Sequence, residues 1–494
     1  MHRRPSPAIF ALAAVLLAPA VAQDASIFLR NGRVHVRPGA ILESASVLIE
    51  GGKIKAVGRE LAPPEGAVIV EAEGLDVYPS FIDPLNDALL EIYPAARGAL
   101  GGGDRALDLF DTFAADRRSE LRRAGVGVVG LGVAANGGRS GVAAVIGVEP
   151  AADGGPVVIA SDRFVQVDIA QRQRGGGGFG GGFGGGGGNT IVGLASRDAA
   201  VRGLEEALDG AKKYRETWEK YEKDFEEYKK KLGEGVKTES RPAEKKEEPA
   251  AEESSERPKL PDDFRNWPRE KQREWTRENM RRRPRGESGG PASGPTPSAS
   301  DKLKPPEKPK TEPEKEALVK VLKRETPMWI GAEWRQDLGW VLDFAEKRDI
   351  KVAVMGAAEA GSVLDRLKAL RAVVVLPPPV SFEEDPLGGA SEDLCRTLAK
   401  AGVPFTFATA GHAGYGPAGL RFAVALAVGR GLSEDDALAA VTVNAARALG
   451  LEKTLGTIEP GREACLMMLK GSPFDVRNKI LKSVQRGQVK AEDN

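Results

Sequence analysis

From Ser26 the chain alternates short apolar stretches with turn residues. Ile27-Phe28-Leu29, Val34-His35-Val36, Ser46 to Glu50, Lys53 to Gly58 and Val68-Ile69-Val70 are runs of the length and type that predict short antiparallel strands of a small β domain. Asn31-Gly32 and Gly51-Gly52 are the predicted turns. His35 sits between Val34 and Val36, so the two-residue period of a strand puts it on the opposite face, where a lone histidine is expected to be solvated.

After Tyr78-Pro79 the texture changes. Gly125 to Leu131, Val142 to Ile146, Val352 to Met355, Ala372 to Leu376 and Val403 to Phe407 are near-continuous apolar runs, and helical patterns such as Trp340 to Arg348 and Ser391 to Ala401 lie between them. Strands without polar alternation are buried on both faces, which predicts a parallel α/β sheet, and a barrel is its simplest closure.

Three segments break this pattern. Gly175 to Gly188 is nearly all glycine with Phe179 and Phe183. It predicts a flexible loop, not a phosphate loop, because no strand leads into it and no Lys-Ser/Thr follows. Val201, Leu204, Leu208, Ala211, Trp218, Tyr221, Phe225, Tyr228 and Leu232 recur at threes and fours, one face of a helix roughly 45 Å long. That stripe is read either as a partner-binding face or as a face packed on the barrel or on its own chain. From about Gly233 to Pro313, Lys, Glu, Pro and Ser dominate, a composition expected to stay mostly disordered. Within it Pro268 to Arg283, with Trp267 and Trp275, is a candidate short helix.

Composition narrows the functions open to this chain. With 71 Lys+Arg against 71 Asp+Glu over 494 residues the formal net charge is zero, so nothing draws the whole molecule to nucleic acid, and the Arg281-Arg282-Arg283 cluster is embedded in acidic residues. There are three histidines: His2, His35 and His412. The amino terminus, with Arg3 and Arg4, an apolar run from Ala8 to Ala18, Pro19 and Ala20-Val21-Ala22, has the layout of an export signal cut before Gln23. Its apolar run is too short to span a bilayer, and no later run is long enough. Removal of that signal leaves two imidazoles, which excludes a site built from three or four. Cys395 and Cys465 both sit in apolar sequence and are read as unpaired buried thiols, although an exported chain could join them.

The order of further pieces resembles the amidohydrolase superfamily, in particular its imidazolonepropionase-like branch. The pieces are Asn31 to Val34, Ile49 to Ile54, Tyr78-Pro79-Ser80-Phe81-Ile82-Asp83, Gly431-Leu432-Ser433 with Ala437-Leu438, Thr442 to Gly450, Leu455 to Gly461, Gly471 to Asp475 and Val484 to Gly487. The resemblance implies an α/β fold: a (β/α)8 TIM-like barrel with its site at the carboxyl ends of the strands, and a small β-sandwich assembled from both chain termini. The implied organisation is a signal peptide over 1–22, a composite sandwich over 23–78 and 453–494, a barrel over 79–452, and an insertion over 171–325.

Chemistry implied by the resemblance uses one or two divalent metals. A His-x-His pair after the first barrel strand, two later histidines and an aspartate after the eighth strand hold them, and the metal acidifies a bound water. In this sequence the pair falls on Leu85 and Asp87 and the aspartate on Ala410. The strands near Met355 and Leu376 end without a histidine. The surviving candidate catalytic residues are Asp83, Asp87 and His412. Asp83 occupies the position of a family carboxylate and reads as an acid or as a hydrogen-bonded strand-end group. Asp87 reads as a ligand for a hard ion or as a solvated residue. His412, in a glycine-rich loop with Gly411, Gly414 and Gly416, reads as a base or a bystander. Together they would make an acid/base set without metal.

Two functions follow from these residues. One is an exported, metal-free family member that serves as a binding scaffold or as partner subunit of an active relative, in a homo- or hetero-oligomer. The other is a hydrolase of carbon–nitrogen bonds other than peptide bonds with a reduced or rebuilt site. No cofactor is expected on the first reading, and one divalent metal such as zinc on the second. Amino-terminal sequencing of the exported protein is expected to start at Gln23; Met1 retained in a membrane fraction would contradict the export reading.

Overall fold

A computed structural model of the chain describes residues 26–91, 104–132, 138–151, 153–169, 194–238, 305–377, 394–409 and 419–491. Their strands sort into two eight-stranded sheets. The first takes β1 (Ile27–Arg37), β2 (Ala40–Glu50), β3 (Lys53–Gly58), β4 (Val68–Glu71) and β5 (Asp76–Pro79) from the amino-terminal end, and β14 (Cys465–Leu469), β15 (Lys482–Gln485) and β16 (Gln488–Ala491) from the carboxyl-terminal end. β14 pairs with β5, which joins the two ends of the chain in one sheet of order β16-β15-β14-β5-β1-β2-β3, with β4 against β1.

The Gly51-Gly52 turn closes the β2–β3 hairpin with both residues at positive φ, as a tight two-residue hairpin requires. Asn31-Gly32 does something other than the expected turn. Asn31 sits at φ 57° inside β1, where the register shifts, and the chain continues as one strand. A Cβ on Gly32 would lie 2.7 Å from Val77 Cγ2, so this is a bulge that lets β5 approach closely. β1 is also not purely antiparallel, since its first half pairs parallel with β4 and its second half parallel with β5.

The second sheet is the barrel sheet. It runs sequentially through β6 (Phe81–Asn86), β7 (Val126–Leu131), β8 (Gly138–Gly147), β9 (Val157–Asp168), β10 (Met328–Ala332), β11 (Val352–Gly356), β12 (Val373–Leu376) and β13 (Phe405–Phe407). All neighbours are parallel except at β8, which is antiparallel to both β7 and β9. The Val142 to Ile146 run is therefore the middle strand of a meander. Its burial on both faces, the signal that suggested a parallel strand, comes from its place inside the sheet. Among the described residues no backbone ladder joins β6 to β13, the first and last strands of the order.

Helices α1 (Ala115–Arg123), α3 (Pro313–Leu322), α4 (Arg335–Arg348), α5 (Leu364–Leu370), α6 (Leu394–Ala401), α7 (Gly419–Gly429), α8 (Glu434–Val441) and α9 (Val443–Ala448) accompany these strands. Alternation along the strands separates two apolar layers. Met328, Ile330 and Ala332 of β10 pack with the helices, while Trp329 belongs to an inner cluster with Ile82, Leu85, Val128, Val145 and Val375. Trp329 is fully buried, and its indole nitrogen donates to Ala448 O at 2.8 Å, so the bulkiest side chain of the interior also ties α9 to the sheet. Cys395 and Cys465 are free thiols and both are buried.

Helix α2 (Leu194–Thr238) has 45 residues, about 68 Å at 1.5 Å per residue. It is longer than the stripe alone suggests and continues through Gly233 and Gly235, whose cost of about 1 kcal/mol each does not break it. The chain divides into two compact units, Met1–Glu216 with Lys310–Asn494 and Thr217–Pro309. In the first, Leu204, Leu208 and Ala211 are buried in the core. In the second, Trp218, Tyr221, Phe225 and Tyr228 are half-buried and touch in sequence, with ring centroids 5.8, 5.7 and 6.2 Å apart. The glycine run and Pro268 to Arg283 lie outside the described residues.

Trp329→Phe removes a buried donor and leaves a void beside Ala448, and is expected to cost at least about 2 kcal/mol. A urea titration followed by far-ultraviolet circular dichroism measures it.

Candidate functional site at the carboxyl end of the first barrel strand

Two residues three apart on a regular strand point to opposite faces. Asp83 and Asn86 nevertheless meet, with Asn86 Nδ2 donating to Asp83 Oδ2 at 2.9 Å. The reason is a bulge: Asp83 faces Val129 of β7 and Asn86 faces Leu131, so three steps on β6 are matched to two on β7 and the parity is reset. Pro84, which has no N–H to give to a ladder, occupies the bulge. Gly130 stands opposite, where a Cβ would lie 2.0 Å from Pro84 O.

The carboxylate of Asp83 has no exposure to solvent. Its Oδ1 accepts from Leu85 N at 3.4 Å and from Thr409 N at 3.3 Å. Its Oδ2 accepts from Asn86 Nδ2 and from Thr409 Oγ1. Thr409 Oγ1 in turn accepts from Asn86 Nδ2 at 3.0 Å. Asn86 Oδ1 takes the Ala88 N–H at 2.8 Å. Asn86 and Thr409 are also buried. Four donors on two oxygens fill the acceptor positions of an ionised carboxylate. Burial pushes the carboxyl up to about 6, outweighing the downward pull of Asn86, Thr409 and the Leu85 N–H, so at neutral pH the group is a carboxylate in a dry cage.

The structure places the other candidates differently. Leu85 is buried in the inner apolar cluster and presents no lone pair to a cation. Asp87 is half-buried and its carbonyl accepts from Leu90 N at 3.1 Å. Ala410 and His412 lie outside the described residues. Among the described residues no group of three His, Cys, Asp or Glu is placed to hold a metal ion. Among the described residues, the apolar side chains packed around Leu85 do not fit a resident cation. Asn86 and Thr409 were missed as site residues. Their signal is weak, since each is a polar side chain at the end of or just beyond a short strand that already carries another polar residue, Asp83 in β6 and Thr406 in β13.

His35 is not solvated. It is buried, its ring stacks on Tyr78 with centroids 3.8 Å apart, and its Nε2 lies 2.8 Å from Asp76 Oδ1. Asp76 Oδ2 also accepts Gly471 N at 2.9 Å, so the imidazole helps to join β1 to the segment after β14. Burial lowers its pKa and Asp76 acts against that shift. Tyr78 and Asp76 of the neighbouring β5 enclose the ring while Arg33 and Arg37 of β1 stay exposed, a local burial that alternation alone does not reveal.

Residues 338–491 match the family model for the Amidohydrolase family. A dihydroorotase of Geobacter sulfurreducens is 39% identical over 85 residues, 16% of this chain and 20% of the relative. The match thus spans about one fifth of the length of that curated relative. The fold is shared with the crystal structure of an amidohydrolase from Thermotoga maritima MSB8, with a TM-score of 0.61 at 18% identity over 94% of this chain and 99% of that one.

Asp83 carries a folded-state pKa above its unfolded value of about 4, so its contribution to stability is complete below pH 4 and is lost as pH rises through 6. A shift of about two units corresponds to roughly 3 kcal/mol. The stability of the wild type relative to Asp83→Asn is expected to fall by up to that amount between pH 4 and 7, measured by urea titration of both proteins at each pH.

Proposed function

We propose that this chain is an exported amidohydrolase-superfamily protein of the imidazolonepropionase-like branch that has given up the family's metal centre and acts as a binding scaffold or as the partner subunit of an active relative. The observation that carries the reading is Leu85: where the resemblance calls for an imidazole, a leucine is packed with Ile82, Val128 and Val145. The histidine count supports it, since at most His35 and His412 remain after signal removal, and His35 is engaged with Asp76 in the terminal sheet. A water needs a cation or an equally placed base to become a nucleophile near neutral pH. Asp83, the buried carboxylate nearest in sequence to the Leu85 position, has its oxygens occupied by four donors.

The second reading, a hydrolase of carbon–nitrogen bonds other than peptide bonds acting on cyclic amides or imidazolone-like substrates, is favoured by the short match to a dihydroorotase. It would use Asp83, Asp87 and His412 in a rebuilt site, with one zinc ion as the added requirement. Plasma mass spectrometry of the purified protein separates the two. Zinc is expected below one equivalent, with no detectable hydrolysis of simple amides, dihydropyrimidines or imidazolones. One tightly bound equivalent, or turnover that disappears in Asp83→Asn or His412→Ala, would overturn the scaffold reading in favour of the hydrolase.

A further inference from the structure

We propose that the Asp83–Asn86–Thr409 cluster is the clasp that closes the barrel at its seam, tying the first strand to the last by side chains where the backbone does not. The sheet order begins at β6 and ends at β13, and among the described residues these two strands share no ladder. Open sheet edges carry unpaired backbone groups and part easily unless something covers or ties them. Thr409 follows β13 by two residues, and it reaches across to Asp83 with both its backbone N–H and its hydroxyl. Asn86 makes the tie rigid, because one amide nitrogen donates to the carboxylate and to the threonine hydroxyl together. That leaves Thr409 Oγ1 with a single orientation, donating to Asp83 and accepting from Asn86. On the β6 side the Pro84 bulge and Gly130 fix the two partners on one face.

A closure made this way has a consequence that a well-packed but uncoupled cluster lacks. Loss of one donor leaves a buried carboxylate short of a partner, and the damage is concentrated at the two seam strands. The rest of the sheet keeps its backbone ladders.

Hydrogen exchange on the full-length protein at pH 7 tests this. In Thr409→Val, which keeps the shape and removes the hydroxyl, amides of residues 81–86 and 405–409 are expected to exchange at least tenfold faster. Those of 328–332 and 352–356 are expected to stay within twofold of wild type. Thr409→Ser, which restores the hydroxyl, is expected to return most of the protection. Should Thr409→Val fail to fold, Asn86→Ser, which shortens the bridging amide to a hydroxyl, is expected to give the same pattern at smaller amplitude. Equal acceleration in all four strands, or no acceleration at the seam, would overturn the proposal. Neither result depends on metal content or turnover, so the clasp and the scaffold reading stand or fall separately.

Discussion

A carboxylate withdrawn from water has to be met by donors, and those around Asp83 come from both ends of the barrel sheet. The desolvation of a single charged group is worth several kcal/mol if unanswered, so the local backbone is committed to answering it. Pro84 bulges, Gly130 stays without a side chain, Asn86 turns back along its own strand, and Thr409 is held within reach after β13. These are four separate sequence choices, and each makes sense only with the others. The polar cluster is fully connected, which is the condition under which a buried network rigidifies a core.

The opposite end of the barrel is held by the chain's own tail. Gln485 of β15 donates to Gly127 O and accepts Glu149 N at 2.6 Å. Glu149 is in turn paired with Arg122 at 2.7 Å, and Ser80 N donates to Cys465 O at 2.9 Å. Early barrel strands therefore lean on strands synthesised last. Arg421 of α7 adds to this by donating to Pro473 O, Asp475 O and Asn478 O, which fixes the loop between β14 and β15. The terminal sheet is thus part of the same folding unit as the barrel, consistent with both falling in one compact unit.

What the sequence disclosed follows from which signals are local. The apolar runs at Gly125 to Leu131, Val352 to Met355 and Ala372 to Leu376 became β7, β11 and β12, because burial on both faces leaves an unbroken apolar signature. Gly51-Gly52 was legible because only glycine accepts both positive φ angles cheaply. Asn31-Gly32 looks the same locally, and its bulge depends on Val77, 45 residues away. The direction of β8 was hidden for the same reason, since parallel and antiparallel neighbours bury a strand equally. His35 departs from the expectation because alternation tells which face a residue takes and not whether neighbouring side chains, here Tyr78 and Asp76, enclose it there. At the site, Asp83 stood out by its position in the family-like motif, whereas Asn86 and Thr409 become partners only through the strand order.

The inner apolar cluster and a metal centre are competing uses of the same volume. A resident cation needs several lone pairs converging at about 2 Å, plus room for water, whereas an interior filled by Trp329, Leu85, Val145 and Val375 needs dry contact on every side. A structure that kept the hole and lost the ligands would leave polar strand-end groups around an empty, wet space. Here Leu85 supplies apolar volume to the cluster, and the carboxylate of Asp83 on β6 is hydrogen-bonded by four donors from the protein itself. A single reversion to histidine at position 85 would then place an imidazole among aliphatic side chains without a cation to bind, and desolvation would keep it neutral. A metal site at this position would require removing packing before adding ligands. Substitution to histidine at the position of Leu85 alone is therefore not enough to create such a site while the apolar cluster around it stays packed.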